Sequence, residues 1–453
     1  MELYDYQGNA LGLDVETDKT LRVTDKPADA KVVGDRLDNI NVMAMEPNQR
    51  DIPVVSIEGD LYSTKEEGKS NITITYISDT ESFTDFATAK VQGDSSQYYP
   101  KKNYTINLFT DSARKTKSER LFRDWDKGRS KFVLKANWID HSHARNIVNA
   151  RLWEQAVRSR SDFNSLPETL RGSNLAVDGF PVKVYHNGVY YGLYTWNIPK
   201  DGMYGVDSDI LTNCIIQTDG NHDFDSQLFR NPSMNGKWSD ELHDEMPAVI
   251  ANSWNSVLSF VVNSSDSEFV AGIDSRIDLK SIIDAHIFLR ALNAVDMISK
   301  NQTFFTYDAV KWYAGMYDMD ATWGMTGIVT SDDGDTIRWR PYNTIFQYNY
   351  NGYDRTNDRG NYLHERIWNL FKNDVVLRYQ ELRSTVLSAA NIIGEFDRFM
   401  SAIPPYLYAE DYAETTANGA FVGIPGKNDN NILQIRDFLV DRLAYVDGTI
   451  LEE

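Results

Sequence analysis

From Ile52 onward, apolar and polar residues alternate with a period of two in IPVVSIEG, NITITYIS, ATAKVQGD and NYTINLF, the pattern of strands that bury one face. KFVLKANWID reads as a further, buried strand in which Lys135 interrupts the apolar run. The period then lengthens: RNIVNARLWEQAVRSR, Arg145 to Arg160, is an amphipathic helix. PVKVYHNGVYYGLYTW is a hairpin, because Asn187-Gly188 between alternating apolar runs is the favoured two-residue turn. Periodicity breaks at Pro199 and Gly202, where a hinge is expected, and residues 201–245 are polar and loop-rich. Helices follow from about Pro247 to Asn293, Tyr362 to Met400 and Asn431 to Leu443, with strand-like runs at Thr303 to Tyr307 and Lys311 to Tyr317. Ahead of all this, residues 1–50 are polar and poor in aromatics, with one predicted helix near Asp29 to Asn39.

Strands with one main helix, followed by helices, predict an α+β chain in three parts. These are a polar leader over 1–50, a β-rich part over 51–200 and a mostly helical part over 201–453. A chain of 453 residues with 42% apolar content can bury a core in each of the larger parts. The formal charge of -20 excludes a general nucleic-acid binder and requires any positive charge to be gathered locally. No apolar run approaches the roughly eighteen residues of a membrane span, and MELYDYQGNALGLDVE lacks the basic start and apolar region of a secretory signal, so neither is expected. Cys214 is the only cysteine, which excludes an intramolecular disulfide and a cysteine-based zinc site and leaves a small core residue.

Candidate chemistry concentrates between Leu289 and Gly324. Asp296 closes an apolar helical run, Asn301 follows across a short loop, and the second strand-like run ends at Asp318-Met319-Asp320. Phosphoryl transfer needs a carboxylate to orient the attacking hydroxyl and oxygen ligands for a hard cation, and these residues are of the right types. The spacing by itself is common, and a helix cap at Asp296 with a turn at Asp318 and Asp320 is the plain alternative. In the loop QGDSSQYYPKK, Gly93, Ser95 and Ser96 beside Lys101 and Lys102 could cradle phosphates or form a solvated hairpin loop. Between Lys101 and Lys135 there are eleven Lys and Arg against four Asp and Glu, either a local positive field or a solvated face. A buried Lys135 calls for a carboxylate partner. Glu154 on the following helix is the first candidate, unless it pairs with Arg151 or Arg158 on the helix surface. Asp219, Asn221 and Asp223 imitate the start of a calcium loop, but Phe224 stands where Gly is wanted and Arg230 where Glu is, so the stretch reads as a loop.

Five ordered segments, KVQGDSSQYYPKKNYTINL, FVLKANWIDHSHARN, GVYYGLYTW, VDMISKN and YDMDATWG, resemble the CotH-type (spore coat protein H) kinases over about Lys90 to Gly324. The resemblance implies a two-lobed atypical protein-kinase-like fold, with a β-rich N-lobe carrying one main helix and a mostly helical C-lobe. It also implies ATP and Mg2+ as cofactors, and transfer of the γ-phosphate to a Ser or Thr hydroxyl of a protein substrate, this chain itself included. By position, Asp296 matches the catalytic-loop Asp, Asn301 the metal-binding Asn, and Asp318 and Asp320 the metal-binding acidic pair. Lys102, Lys135 and Arg145 match basic family positions. The chain departs from many relatives at Gln92, where they have Arg, and at Asn197-Ile198, where they have Thr-Glu. His141 and His143 read as surface residues, with a metal pair as the alternative. The leader segment TLRVTDKPADAKVVGDRLDNI resembles linkers of bacteriophage tail-associated proteins, so phage tail proteins are possible partners and a non-catalytic tail module is the second function class. No nucleic acid and no membrane is expected among the partners, and the setting stays open between a phage tail and a bacterial cytoplasm. A Walker A sequence is absent, which sets aside a P-loop ATPase.

Overall fold

The computed structural model describes residues 52–93, 95–218, 229–234, 238–294, 297–298, 300–324, 361–417 and 432–451. The leader, Asp296 and the Asp219 to Asp223 stretch lie outside them.

The alternating segments form β1 (Val54–Gly59), β2 (Ser70–Ile77), β3 (Ser82–Gln92), β4 (Asn103–Phe109), β5 (Lys131–Lys135), β6 (Gly179–His186) and β7 (Val189–Asn197). They close into one barrel in the order β1-β2-β3-β4-β5-β7-β6. Every pairing is antiparallel except the closing one, where β1 runs parallel to β6 with Val54 opposite Lys183. The expected two-lobed kinase-like fold with one main helix in a β-rich lobe is therefore incorrect. The first seven strands leave no open sheet edge, and ten α-helices are present among the described residues. Alternation reports which face of a strand is buried, but closure depends on the β1 to β6 pairing between segments some 130 residues apart.

The barrel interior is filled rather than hollow. Ile57, Ile74, Ile106, Phe132, Val182 and Trp196 point into one apolar cluster, and Phe122 from the β4–β5 connection plugs it against Tyr76, Phe132 and Trp196. Much of the basic segment around this plug is structural. Arg120 pairs with Asp85 at 2.7 Å, Arg129 with Asp126, and Arg114 donates to the carbonyls of Ile72 and Ala87. The predicted β6–β7 turn is present, with Asn187 and Gly188 at φ 51° and 79° as a tight hairpin demands.

Beyond β5 runs α1 (Arg145–Ser159), then a short α2 (Glu168–Arg171). After the barrel, β8 (Cys214–Thr218), β9 (Trp238–Asp240), β10 (Thr303–Thr306) and β11 (Trp312–Gly315) make a second sheet ordered β11-β10-β8-β9. Cys214 is buried in it, and two of its strands come from the region expected to be only loops. CIIQT is buried at every position, so it carries no alternation to read. The helices α3 (Ala248–Asn263), α4 (Asp266–Gly272), α5 (Leu279–Leu292), α6 (Tyr362–Leu370), α7 (Lys372–Ser384), α8 (Ala389–Met400), α9 (Pro405–Ala417) and α10 (Ile432–Leu451) complete the chain. They share one large core with the second sheet, while α1 packs on α5 and α8, and α9 packs on β7 of the barrel. No described helix is long and apolar enough to cross a membrane.

Candidate functional site

The end of β5 and the chain leaving β11 bring opposite charges together. Lys135, the last residue of β5, holds its ammonium 2.6 Å from the Asp318 carboxylate. These side chains are 13% and 29% exposed, so the pair is sheltered yet open to solvent on the acid side. Burial alone would raise the Asp318 carboxyl, but the Lys135 ammonium, helped by Lys300 and Lys200, outweighs it and holds the group below the usual carboxylate range. Lys135 shifts the opposite way: burial pulls its ammonium down, and Asp318 followed by Asp320 more than reverses this. Both groups are thus charged at neutral pH. The expectation that Lys135 has a carboxylate partner holds, but the partner is not Glu154, which lies on α1 and pairs with Arg158 one turn on at 2.8 Å. With both of those side chains at least one third exposed, theirs is a surface pair.

The β10–β11 hairpin pairs Thr303 with Gly315, so Asn301 entering β10 and Asp318 leaving β11 emerge side by side. Both adopt left-handed backbone, at φ 58° and 59°, a region that Asn and Asp tolerate better than other non-glycine residues. Asn301 is buried and its amide oxygen accepts from Gln217 Nε2 at 2.9 Å. Gln217 in turn receives the Lys200 ammonium, which also pairs with Glu241 at 2.7 Å. Lys200 and Gln217 were not singled out by sequence, because neither sits in a motif. The only sequence signal for Lys200 is its place directly after Pro199, where periodicity stops.

The acidic loop is fastened from α1. Asn146 Oδ1 accepts from the Met319 backbone at 3.2 Å, and Asn149 Nδ2 donates to the Met319 carbonyl at 3.0 Å and to Thr322 Oγ1 at 2.7 Å. Asn149 Oδ1 also accepts from Trp323 Nε1 at 2.8 Å. Arg145 belongs to this bracing: it is buried, pairs with Asp140 at 2.5 Å and donates to the Thr322 carbonyl at 3.2 Å.

Gly93 sits at φ 110°, where a Cβ would fall 1.8 Å from Ser96 Oγ, so only glycine fits. Ser95 begins the 3-10 turn that follows. Ser96 Oγ accepts from Asn103 Nδ2 at 3.2 Å, and Asn103 Oδ1 accepts from the backbone N–H of Ala136, next to Lys135, at 2.7 Å. The loop is therefore tied to the strand end that carries Lys135. Lys102 donates to the Gln97 carbonyl at 2.7 Å within the loop, and burial lowers its ammonium. His143 is buried instead of lying on the surface, and His141 is half-buried.

Lys135, Lys200 and Lys300 thus act on Asp318, with Asp320 acting on Lys135, Glu241 paired with Lys200 and the Asn301 amide oxygen bonded to Gln217. The sequence model of one family, described as CotH kinase protein, matches residues 89–446. The chain belongs to that CotH kinase family, to which ATP and a divalent metal are general. No curated protein matches the chain.

Proposed function

We propose that the chain is a protein kinase that transfers the γ-phosphate of ATP to a Ser or Thr hydroxyl of another protein or of this chain, with Mg2+ as cofactor. The observation that carries this reading is the Lys135 to Asp318 pair at the strand end, beside Asn301 and Asp320. Among the described residues no group of three or more His, Cys, Asp or Glu side chains could hold a metal by itself. Two carboxylates and an amide oxygen fit a cation whose other ligands are phosphate oxygens and water, as Mg2+ prefers. Bound there, the cation would neutralise charge on the phosphates.

In this reading Asp318, Asp320 and Asn301 would hold the cation. The Lys135 ammonium, freed in part from Asp318, would meet phosphate oxygens. Asp296 accepts the proton of the acceptor hydroxyl, a role drawn from its position five residues before Asn301.

A second reading, a non-catalytic module with phage tail proteins as partners, is favoured by Gln92, whose amide is bonded to Thr105 at 3.2 Å and brings no cation to the loop. Two measurements separate the readings. Mg-ATP should raise the melting temperature, and labelled γ-phosphate should appear on the chain or on a Ser-containing protein. Changing Asp318 and Asp320 together to Ala should abolish the shift. Nucleotide binding without any transfer leaves the non-catalytic reading, and absence of both effects sinks the kinase assignment.

A further inference from the structure

A second cluster of charged groups begins two residues beyond Lys135. Lys101 turns inward, donates to the Leu193 carbonyl at 2.5 Å, lies 4.7 Å from the centre of the Tyr194 ring and pairs with Asp411 of α9. Room for it is made by Gly192, at φ 135°, where a Cβ would fall 2.8 Å from Lys101 Cε. The other Asp411 oxygen lies 2.9 Å from His143 Nε2. An ionised carboxylate can only accept, so Nε2 donates to Asp411. Asn137 Nδ2 meets Nδ1 at 3.3 Å, and the same amide reaches the Lys135 carbonyl at 3.3 Å and Thr195 Oγ1 at 3.1 Å. Asn137, His143 and Asp411 are all buried. A continuous series of polar contacts therefore runs from a helix near the end of the chain to the backbone of Lys135.

We propose that Asp411, His143 and Asn137 are positioning residues, through which α9 fixes the end of β5 and with it the placement of Lys135 against Asp318. The part played by Lys135 in nucleotide binding rests on the kinase reading; the positioning itself does not. Outer contacts of this kind act by fixing the orientation of the group that touches the ligand. Helix α9 is suited to the task because it is held at more than one place: Tyr408 donates to the Ser142 carbonyl at 3.0 Å, and Lys183 donates to the Tyr406 hydroxyl at 3.0 Å.

The test labels the intact chain with an amine-reactive succinimidyl ester and reads modification at Lys135 by peptide mass spectrometry, with the more exposed Lys131 as internal control. Asn137→Gly suits the left-handed backbone at φ 51° and removes the side chain with its amide; Asp411→Asn keeps size and removes the charge. Circular dichroism establishes that each variant is folded. Both should raise labelling at Lys135 several-fold with Lys131 unchanged, and both should weaken Mg-ATP binding by about ten-fold. Should Asp411→Asn fail to fold, Asn137→Gly decides alone. Unchanged labelling at Lys135 in a folded variant overturns the proposal. Raised labelling in a chain that binds no Mg-ATP sustains the positioning and removes the kinase reading instead.

Discussion

Two of the lysine–aspartate pairs that join the barrel to the chain that follows it, Lys101 with Asp411 and Lys135 with Asp318, are built differently. Lys101 and Asp411 are 4% and 8% exposed, and each has further partners: Leu193 and Tyr194 for the lysine, His143 for the acid. Lys135 and Asp318 are more exposed, and the acid sits on left-handed backbone at the end of a strand. A closed pair with all its partners in place fastens one part of the molecule to another. A half-open pair leaves lone pairs and an ammonium that a ligand can take over, and that difference is what the proposed function rests on when it gives chemistry to the second pair and support to the first.

The comparison breaks most visibly if the buried pair proves dispensable. Lys101→Met keeps the volume of the side chain but strands the Asp411 carboxylate, and should lower stability by about 3–5 kcal/mol in denaturant unfolding. Adding Asp411→Leu removes the stranded charge and should restore most of the loss. Lys135→Met, at the half-open pair, should lower stability by only about 1 kcal/mol, because Asp318 can rehydrate. Equal losses at the two lysines would erase the distinction. Acid sharpens it further. Burial alone would raise the Asp411 carboxyl, but Lys101 and His143 outweigh burial and hold it far below the ordinary range. A carboxyl depressed in the folded state contributes stability that is fully present above its unfolded value, near about pH 3.9, and is lost as pH falls through the folded value. Asp411→Asn should flatten that acid arm of the stability curve.

A residue outside the described ones tests the proposed reaction. Asp296→Asn preserves size and hydrogen bonding but removes the proton acceptor, so phosphate transfer should drop by about 100-fold while Mg-ATP binding stays largely intact. Equal transfer by this variant and the wild type would remove Asp296 from the reaction and weaken the whole site assignment.

The barrel strands, the α1 helix, the Asn187-Gly188 turn and the β10–β11 hairpin are legible because each depends on local periodicity or turn chemistry, whereas β8 and β9 are not. Barrel closure is not, since the pairing of Val54 with Lys183 leaves no local signal. The same division holds at the site. Residue types at Lys135, Asn301, Asp318 and Asp320 were readable from an ordered set of motifs, yet the first candidate for the partner of Lys135, Glu154, is not its partner, and the alternative of a surface pair with Arg158 is the one observed. Helix spacing favours a neighbour about twenty residues away, whereas the observed partner is 183 residues distant. His143 looked like a surface residue because its partner, Asp411, lies 268 residues further on.

The surface pair of Glu154 supplies the smallest expected effect, and a useful one. If Glu154 held Lys135, Glu154→Ala would weaken Mg-ATP binding as severely as a change at the pair itself. Instead Glu154 pairs with Arg158 on the surface of α1, at 2.8 Å, with side chains 33% and 43% exposed. A pair of that kind is screened by water and contributes about 0.3–0.5 kcal/mol at most. Glu154→Ala should therefore shift the melting temperature by about one degree or two and leave Mg-ATP titration and phosphate transfer unchanged. Arg158→Ala should behave alike, because both changes interrupt one and the same contact. A marked fall in nucleotide affinity in Glu154→Ala alone would mean that Lys135 exchanges Asp318 for Glu154 when nucleotide binds. The half-open pair would then be only one position of a lysine with two partners, and the contrast with Lys101, whose surroundings leave it a single place to go, would become wider still.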